Sequence, residues 1–372
     1  MRITILQGAF LPVPALRGGA IEKAWEALGQ EFSREGHEVI HISRHCDGLS
    51  QREKIGEVQH VRIKGSNAVK SKWLLKIFEF IYVWRARKVL PKADILITHT
   101  FWAPILYPQE KYGKIYVHVG RYPKGQMRYY RKAARFQVPT NAIYDAVLSE
   151  VPNKSNLISI IPYPLHWRIP KNPPFESRQK QILFLGRIHP EKGISELLIA
   201  WGGLSLKERD GWILRIRGPW KKEQGGAGRE YLESLFKMKD TSNDSIEIME
   251  PVFDSSEIIK ELSQASVFVY PSLAERGETF GLAILEAMSL GCVPLTSSLD
   301  CFDIFNVKEN GFSFDHTNGD QYSTIKNTLK DVISSKAELP RLSRLAQEHA
   351  KFFELPIISK RFLNDFQGLK VE

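Results

Sequence analysis

Apolar residues along this 372-residue chain fall into short continuous runs that alternate with longer stretches of helical period. In the first half, "RITIL" (2–6), "EVIHIS" (38–43), "DILITHT" (94–100) and "KIYVHV" (114–119) have the unbroken hydrophobicity of strands covered on both faces. Between them, "IEKAWEALGQEFSREG" and "KWLLKIFEFIYVWRARKVL" predict helices. The second half repeats the alternation. "QILFLGR", "WILRIRG", "IEIME", "SVFVYPS" and "CVPLTSS" predict strands, and "GISELLIAWGGL", "SSEIIKELSQA" and "GLAILEAMSLG" predict the helices between them. Strands that alternate with helices imply parallel sheets with crossover connections. Residues 161–180, "IPYPLHWRIPKNPPFESRQK", hold five prolines and no period, which predicts an extended linker. The pattern therefore predicts an α/β chain of two Rossmann-like, doubly wound domains facing across a cleft, with ligand loops at the carboxyl ends of the strands.

Composition narrows this reading. The length suits two cores, and 43% hydrophobic with 25% charged residues is an ordinary globular balance. "MRITILQGAF" reads as a buried strand rather than a leader or membrane span, so a cytoplasmic protein is expected. Cys46, Cys292 and Cys301 form neither a CxxC pair nor a zinc spacing, which fits reduced thiols. Charge is unevenly divided. Residues 1–170 carry 26 Lys and Arg against 13 Asp and Glu, whereas residues 171–372 carry 26 against 29. All the net positive charge thus lies in the first half, where it attracts phosphates, anionic membrane surfaces or nucleic acid.

Candidate chemistry sits in the loops after the predicted strands. Gly18 and Gly19 directly precede an amphipathic helix, where a backbone can approach a phosphate. Read alone, this pair is equally a plain strand-to-helix turn. In "ILFLGRIHPEKGISELLIA", Arg187 and Lys192 follow a buried strand and are placed to clamp a diphosphate. In "LAERGETFGLAILEAMSLG", Glu278 lies on a loop and Glu286 on the helix after it, with the amides of Phe280, Gly281 and Leu282 at the helix start. An anion belongs at such amides, so the two acids are expected to bind hydroxyls of a sugar and a ribose. No GxGxxG or GxxxxGK[ST] motif occurs, which argues against an NAD enzyme or an ATPase.

"PSLAERGETFGLAILEAMSLGCVPL" resembles the E-x7-E signature of retaining glycosyltransferases with the GT-B fold, the large family of sucrose-phosphate synthases and bacterial polysaccharide and glycolipid transferases. The likeness extends to "RGGAIEKAWEALGQEFSREGHEV", "GRIHPEKG" and "SKRFLNDF", and so spans nearly the whole chain. It implies an acceptor-side domain over residues 1–168, a donor-side domain over 169–350, and a closing helix over 351–372 that packs back on the first. By this resemblance Glu278 contacts the donor sugar and Glu286 the ribose. Arg187, Lys192 and the amides of Phe280, Gly281 and Leu282 bind the diphosphate, with Gly218 beside the nucleotide and Gly18 and Gly19 over the donor phosphates. His118 lies near the donor sugar and the acceptor. The implied reaction is retaining transfer from a UDP-, GDP- or ADP-linked sugar to a glycan, lipid-linked or small hydroxyl acceptor, with no metal or other cofactor. The sequence contains no DxD motif, which speaks against the metal-dependent GT-A transferases.

The sequence departs from the family at "PYPLHW" and at "PLTSSLDCFDIF", which leaves the donor sugar open. On the acceptor side, residues 121–136, "RYPKGQMRYYRKAARF", mix cations with aromatics and read either as a solvated basic helix or as a contact for an anionic acceptor or membrane. Residues 69–90 either lie on a bilayer as a peripheral contact or, as Lys72, Lys76, Glu79 and Arg87 form a polar stripe, pack on the sheet; the stripe favours packing. Two other readings compete: a glycoside hydrolase using Glu278 and Glu286, and a nucleic-acid binder acting through the basic half. Zinc-finger, helix-turn-helix and RNA-binding aromatic signatures are missing, so no nucleic-acid partner is expected.

Overall fold

The computed structural model describes residues 1–16, 18–69, 71–240 and 245–371. The chain divides into two units, Met1–Arg168 with Phe353–Glu372, and Ile169–Phe352.

Unit 1 is built on strands β1 (Arg2–Leu6), β2 (Glu38–Arg44), β3 (Arg52–Ile55), β4 (Val58–Ile63), β5 (Ile95–Thr98), β6 (Lys114–His118), β7 (Ala133–Val138) and β8 (Ile158–Ile160). They lie in the order β3-β4-β2-β1-β5-β6-β7-β8, parallel except for the β3–β4 hairpin. Neighbouring residues of one strand serve opposite faces. Ile95, Ile97 and Tyr116 join the core under helix α1 (Ala20–Arg34), with Trp25, Leu28 and Phe32. Leu96, Ile115 and Val117 join a second core with Tyr82 and Val83 of α2 (Lys72–Ala86) and Ile143 and Val147 of α3 (Asn141–Glu150). This two-sided cover explains why the strands read as continuous apolar runs. Each such side chain contributes roughly 1.5–3 kcal/mol when fully buried.

Unit 2 carries β9 (Gln179–Leu185), β10 (Ile213–Arg217), β11 (Ile246–Met249), β12 (Ala265–Tyr270), β13 (Val293–Ser297) and β14 (Phe312–Phe314). Their order is β11-β10-β9-β12-β13-β14, all parallel. Its helices are α4 (Ile194–Gly202), α5 (Arg229–Asp240), α6 (Ser255–Gln264), α7 (Leu282–Ser289), α8 (Gln321–Ser334) and α9 (Leu339–Lys351). The last helix, α10 (Leu355–Val371), returns to unit 1, where Phe362 and Phe366 pack against Trp25, Phe32 and Tyr116. In each sheet the order reverses beside the first strand: β1 has β2 on one side and β5 on the other, and β9 has β10 and β12. Loops leaving the carboxyl ends of β1 and β9 therefore diverge and open a crevice in each unit.

Three expectations are corrected. Residues 121–136 are not a basic helix: they hold a short turn at Met127–Tyr129 and most of β7, because Met127, Tyr130 and Phe136 are taken into the core and Arg135 pairs with Asp365 at 3.0 Å. The proline-rich stretch is not a free linker from its start. Ile161, Tyr163 and Leu165 are buried in unit 1, and the Leu165 amide bonds the Phe353 carbonyl at 2.8 Å. The helix expected over 69–90 spans Lys72–Ala86, with Lys70 outside the described residues; it packs on the sheet through Tyr82, Val83 and Ala86, but leaves Trp73, Phe80 and Trp84 exposed.

Candidate functional site

In unit 2 the Pro190–Lys192 turn and the loop after β12 are bonded to each other at the carboxyl ends of β9 and β12. The Glu191 carbonyl accepts the Leu273 amide at 2.9 Å and the Ser272 hydroxyl at 3.3 Å. A tight turn follows, in which the Ala274 carbonyl accepts the amides of Gly277 and Glu278 at 2.9 and 3.0 Å. This turn delivers the Glu278 carboxylate to Lys192. The two form a buried ion pair on Glu278 Oε1, which also accepts the Ser272 hydroxyl at 2.9 Å. Lys192 Nζ also donates to the Tyr270 hydroxyl at 3.0 Å. Burial by itself would lower the Lys192 pKa, but Tyr270 and Glu278 outweigh it and raise it above the ordinary lysine value. Burial and the Glu278 charge push the Tyr270 phenol up to about 12.

Around this pair, Arg187 is partly exposed and holds Glu191 Oε1 at 2.8 Å and the Gly225 carbonyl at 2.9 Å. A Cβ on Gly218 would stand 1.7 Å from the Gly186 carbonyl oxygen. Gly218 is thus fixed by the close approach of two strand ends, and that contact shapes the crevice. Gly281 caps α7 with φ +89° and no side chain caps the helix; the Ile284 amide bonds the Gly281 carbonyl at 2.9 Å, so in the first turn the Leu282 and Ala283 amides are the ones that suit a ligand. The Phe280 ring is core, edge-on to Phe305 at 5.0 Å. Glu286 is buried on α7.

The candidates in unit 1 are of a different kind. His118 ends β6, buried, between two polar partners. Gln137 Nε2 donates to the Ile161 carbonyl at 2.5 Å, which turns Gln137 Oε1 toward His118 Nδ1. Nδ1 therefore carries the proton, and Nε2 accepts the Tyr163 hydroxyl at 2.7 Å. Burial, against a smaller opposing effect of the Gln137 bond, lowers the His118 pKa to about 4, so the ring is neutral. With both nitrogens engaged, His118 positions Tyr163. Gly18 and Gly19 have φ +75° and +118°, and Gly19 caps α1. A Cβ on Gly19 would lie 2.2 Å from Glu22 Oε2, so a carboxyl already stands at this helix start. Burial raises the Glu22 pKa to about 7, against weaker opposition from its own amide and Arg121.

The structure thus brings Lys192, Glu278, Arg187 and the α7 amides to one edge of unit 2, and Gly18, Gly19 and His118 to unit 1. Sequence reasoning passed over Tyr270, Ser272, Glu191, Glu22 and Tyr163. Tyr270 and Ser272 carried a signal: hydroxyl groups at the carboxyl end of a buried strand, where ligand loops begin. Tyr163 gave none, since its partner His118 is distant in the chain, and Glu22, close to Gly19 in sequence, shows its burial only in the fold.

No curated protein matches the sequence. Among solved structures, the chain is similar to sucrose-phosphate synthase from Thermosynechococcus elongatus at 17% identity and TM-score 0.78, covering 100% of this chain and 99% of that one. It is also similar to Anabaena HepE in complex with UDP and glucose, at 15% identity and TM-score 0.73, with 99% and 100% covered. The catalytic domain of starch synthase IV from Arabidopsis thaliana, bound to ADP and acarbose, gives 12% identity and TM-score 0.72, with 100% of both chains covered. Residues 166–349 match the family Glycosyl transferases group 1. This stretch, which carries β9, the Lys192–Glu278 pair and α7, is a glycosyl transferases group 1 domain, and the chain has the GT-B fold.

Proposed function

We propose that the protein transfers a sugar from a nucleoside diphosphate sugar to a sugar hydroxyl, on a glycan or a lipid-linked acceptor, with retention at the anomeric carbon. The observation that carries this reading is the buried Lys192–Glu278 pair beside the uncapped start of α7. A lysine ammonium has three donors. Tyr270 and Glu278 engage two of them, and the third serves a phosphate oxygen of the donor. Both bonds to Glu278 land on Oε1, so Oε2 is the oxygen offered to a sugar hydroxyl. Glu286 takes the ribose hydroxyls, and Arg187 exchanges its bond to Glu191 for the diphosphate. The UDP and ADP named in the similar structures support a nucleoside diphosphate as the leaving group.

In the reaction the bond between the anomeric carbon and the diphosphate oxygen breaks, with its electron pair leaving on the diphosphate. Lys192, Arg187 and the α7 amides stabilise that negative charge as it develops. The acceptor oxygen bonds the anomeric carbon from the face the diphosphate leaves, and its proton passes to the departing phosphate oxygen. No protein base is needed for this, which agrees with a His118 whose ring nitrogens are both engaged. The test pairs calorimetric titration of UDP, GDP and ADP with NMR of the product from the sugar nucleotide whose base binds. Binding of one nucleotide and an unchanged anomeric configuration are expected; no heat from any of the three, or an inverted product, overturns the reading.

A further inference from the structure

Helix α2 is apolar on two sides: Tyr82, Val83 and Ala86 pack on the sheet, and a second apolar face stays in solvent. Between them its polar groups meet residues 101–102. Glu79 Oε1 accepts the Phe101 amide at 3.2 Å, the Lys76 carbonyl accepts Trp102 Nε1 at 2.8 Å, and the Lys76 ammonium lies 4.5 Å from the centre of the Phe101 ring. Burial raises the Glu79 pKa to about 7, against weaker opposition from the Phe101 amide, Arg121 and Lys76. The outward residues are Trp73, Leu74, Ile77, Phe80, Ile81 and Trp84, with Trp73 78% and Trp84 52% exposed. Their spacing of three and four puts them on one stripe, so this is a continuous apolar face and not scattered exposure.

Charge identifies what covers it. From Lys64 to Lys92 the sequence has eight Lys and Arg and one acid, Glu79, which is turned inward. Lys72, Lys76, Arg87 and Lys88 are exposed, and the Arg87 guanidinium lies over the Trp84 ring at 4.7 Å. Ring contacts run from Phe80 to the half-buried Trp102 and Phe101 and on to Tyr130 in the core, beside which Arg128, Tyr129, Arg131 and Lys132 are exposed. Docking two copies through this face would press cations against cations, with no outward acid on α2 to offset them. An anionic lipid surface complements both features: headgroup phosphates meet the cations, and the acyl boundary takes the tryptophans. At 1.5 Å per residue α2 is about 22 Å long, enough to lie along a membrane plane. Among the described residues, no helix is long and apolar enough to cross one.

We propose that the outward face of α2 docks the protein on an anionic bilayer, with Trp73, Ile77 and Trp84 seated at the headgroup–acyl boundary and the flanking lysines and arginines on lipid phosphates. This stands apart from the donor reading, because none of these residues belongs to the Lys192–Glu278 site. The full chain is sedimented with phosphatidylcholine vesicles and with vesicles containing one-third phosphatidylglycerol, at low and high salt. Binding to the anionic vesicles is expected, weakened by salt. The variant Trp73→Ser/Trp84→Ser should lose at least about tenfold in partitioning, and Lys72→Ser/Lys88→Ser roughly fivefold per removed cation. Nucleoside diphosphate titration of the same variants should be unchanged, which separates failure of this proposal from failure of the donor reading. Absence of wild-type binding to the anionic vesicles at low salt overturns it. So does binding that the tryptophan variant retains, or a concentration-dependent dimer that this variant abolishes while vesicles are ignored.

Discussion

The strand-end edges of the two units invert their surfaces. Unit 1 carries the excess positive charge of the chain, yet at its strand ends it buries groups held neutral: His118 and His99, with His41 and His60 in neighbouring strands, and Glu22 near neutrality. Unit 2 has a small net negative charge, yet it buries an ion pair, Lys192 with Glu278. Net charge therefore does not say where charged chemistry takes place. A buried cation braced by a carboxylate suits a diphosphate whose charge grows during reaction, whereas a neutral polar edge suits hydroxyls that keep theirs. On this comparison we propose that the donor's charged half is held by unit 2 and the acceptor by unit 1.

The severest test is Lys192→Ala, which leaves Glu278 buried without its cation. A stability loss of about 3–5 kcal/mol is expected from breaking a buried pair, with turnover down about a thousandfold. Denaturant titration and initial rates measure both; a variant that keeps wild-type affinity for the nucleoside diphosphate removes Lys192 from the clamp. Next in size, Glu278→Gln should lower kcat by about a hundredfold or more while leaving the nucleotide Kd unchanged. Glu286→Ala should do the reverse, weakening nucleotide binding about tenfold with little change in kcat. If both acids affected Kd alone, the division between sugar and ribose would fail.

A third effect separates the units by pH. His41, His60, His99 and His118 have native pKa values below the ordinary 6.5, so between about 6.5 and 4 the unfolded chain takes up protons that the native unit refuses. Glu22, Glu26 and Glu79 oppose this, because their raised values let the native state bind protons first. The four histidines outnumber the three acids, so the unfolded state binds more protons and stability should fall as pH falls, by roughly 1.4 kcal/mol per pH unit for each proton of difference. Hydrogen exchange resolved by unit should show unit 1 loosening before unit 2 over this window; simultaneous loss would break the comparison. The smallest effect is that of Tyr163→Phe, which removes the bond to His118. About 1 kcal/mol of stability should go, with acceptor KM rising more than nucleotide Kd, as steady-state kinetics with varied acceptor would read.

Much of this was legible in the chain. Strands covered on both faces announce themselves as apolar runs, and β1, β5, β9 and β12 were located by that rule. Glu278, Gly281 and Glu286 belong to one local loop-and-helix segment, so their spacing carried the signal. The hairpin β3–β4 and strands β7, β8 and β14 were passed over, because they are short or mixed in polarity and are held by their neighbours' ladders. The sense of α2 was misread for a related reason. A polar stripe shows that a helix has a polar side, but that Tyr82, Val83 and Ala86 meet the sheet while Trp73 and Trp84 stay outside depends on segments far along the chain.

The sequence by itself determined the alternation of strand and helix, the two cores and the local segment that bears the acids, because each follows from periodicity or from neighbours a few residues apart. Only the tertiary structure decided that Lys192 meets Glu278 across 86 residues, that burial holds His118 neutral between Gln137 and Tyr163, and that α2 shows its tryptophans to solvent. Ionisation and exposure depend on what lies within a few ångströms in space, and the sheet order sets that distance.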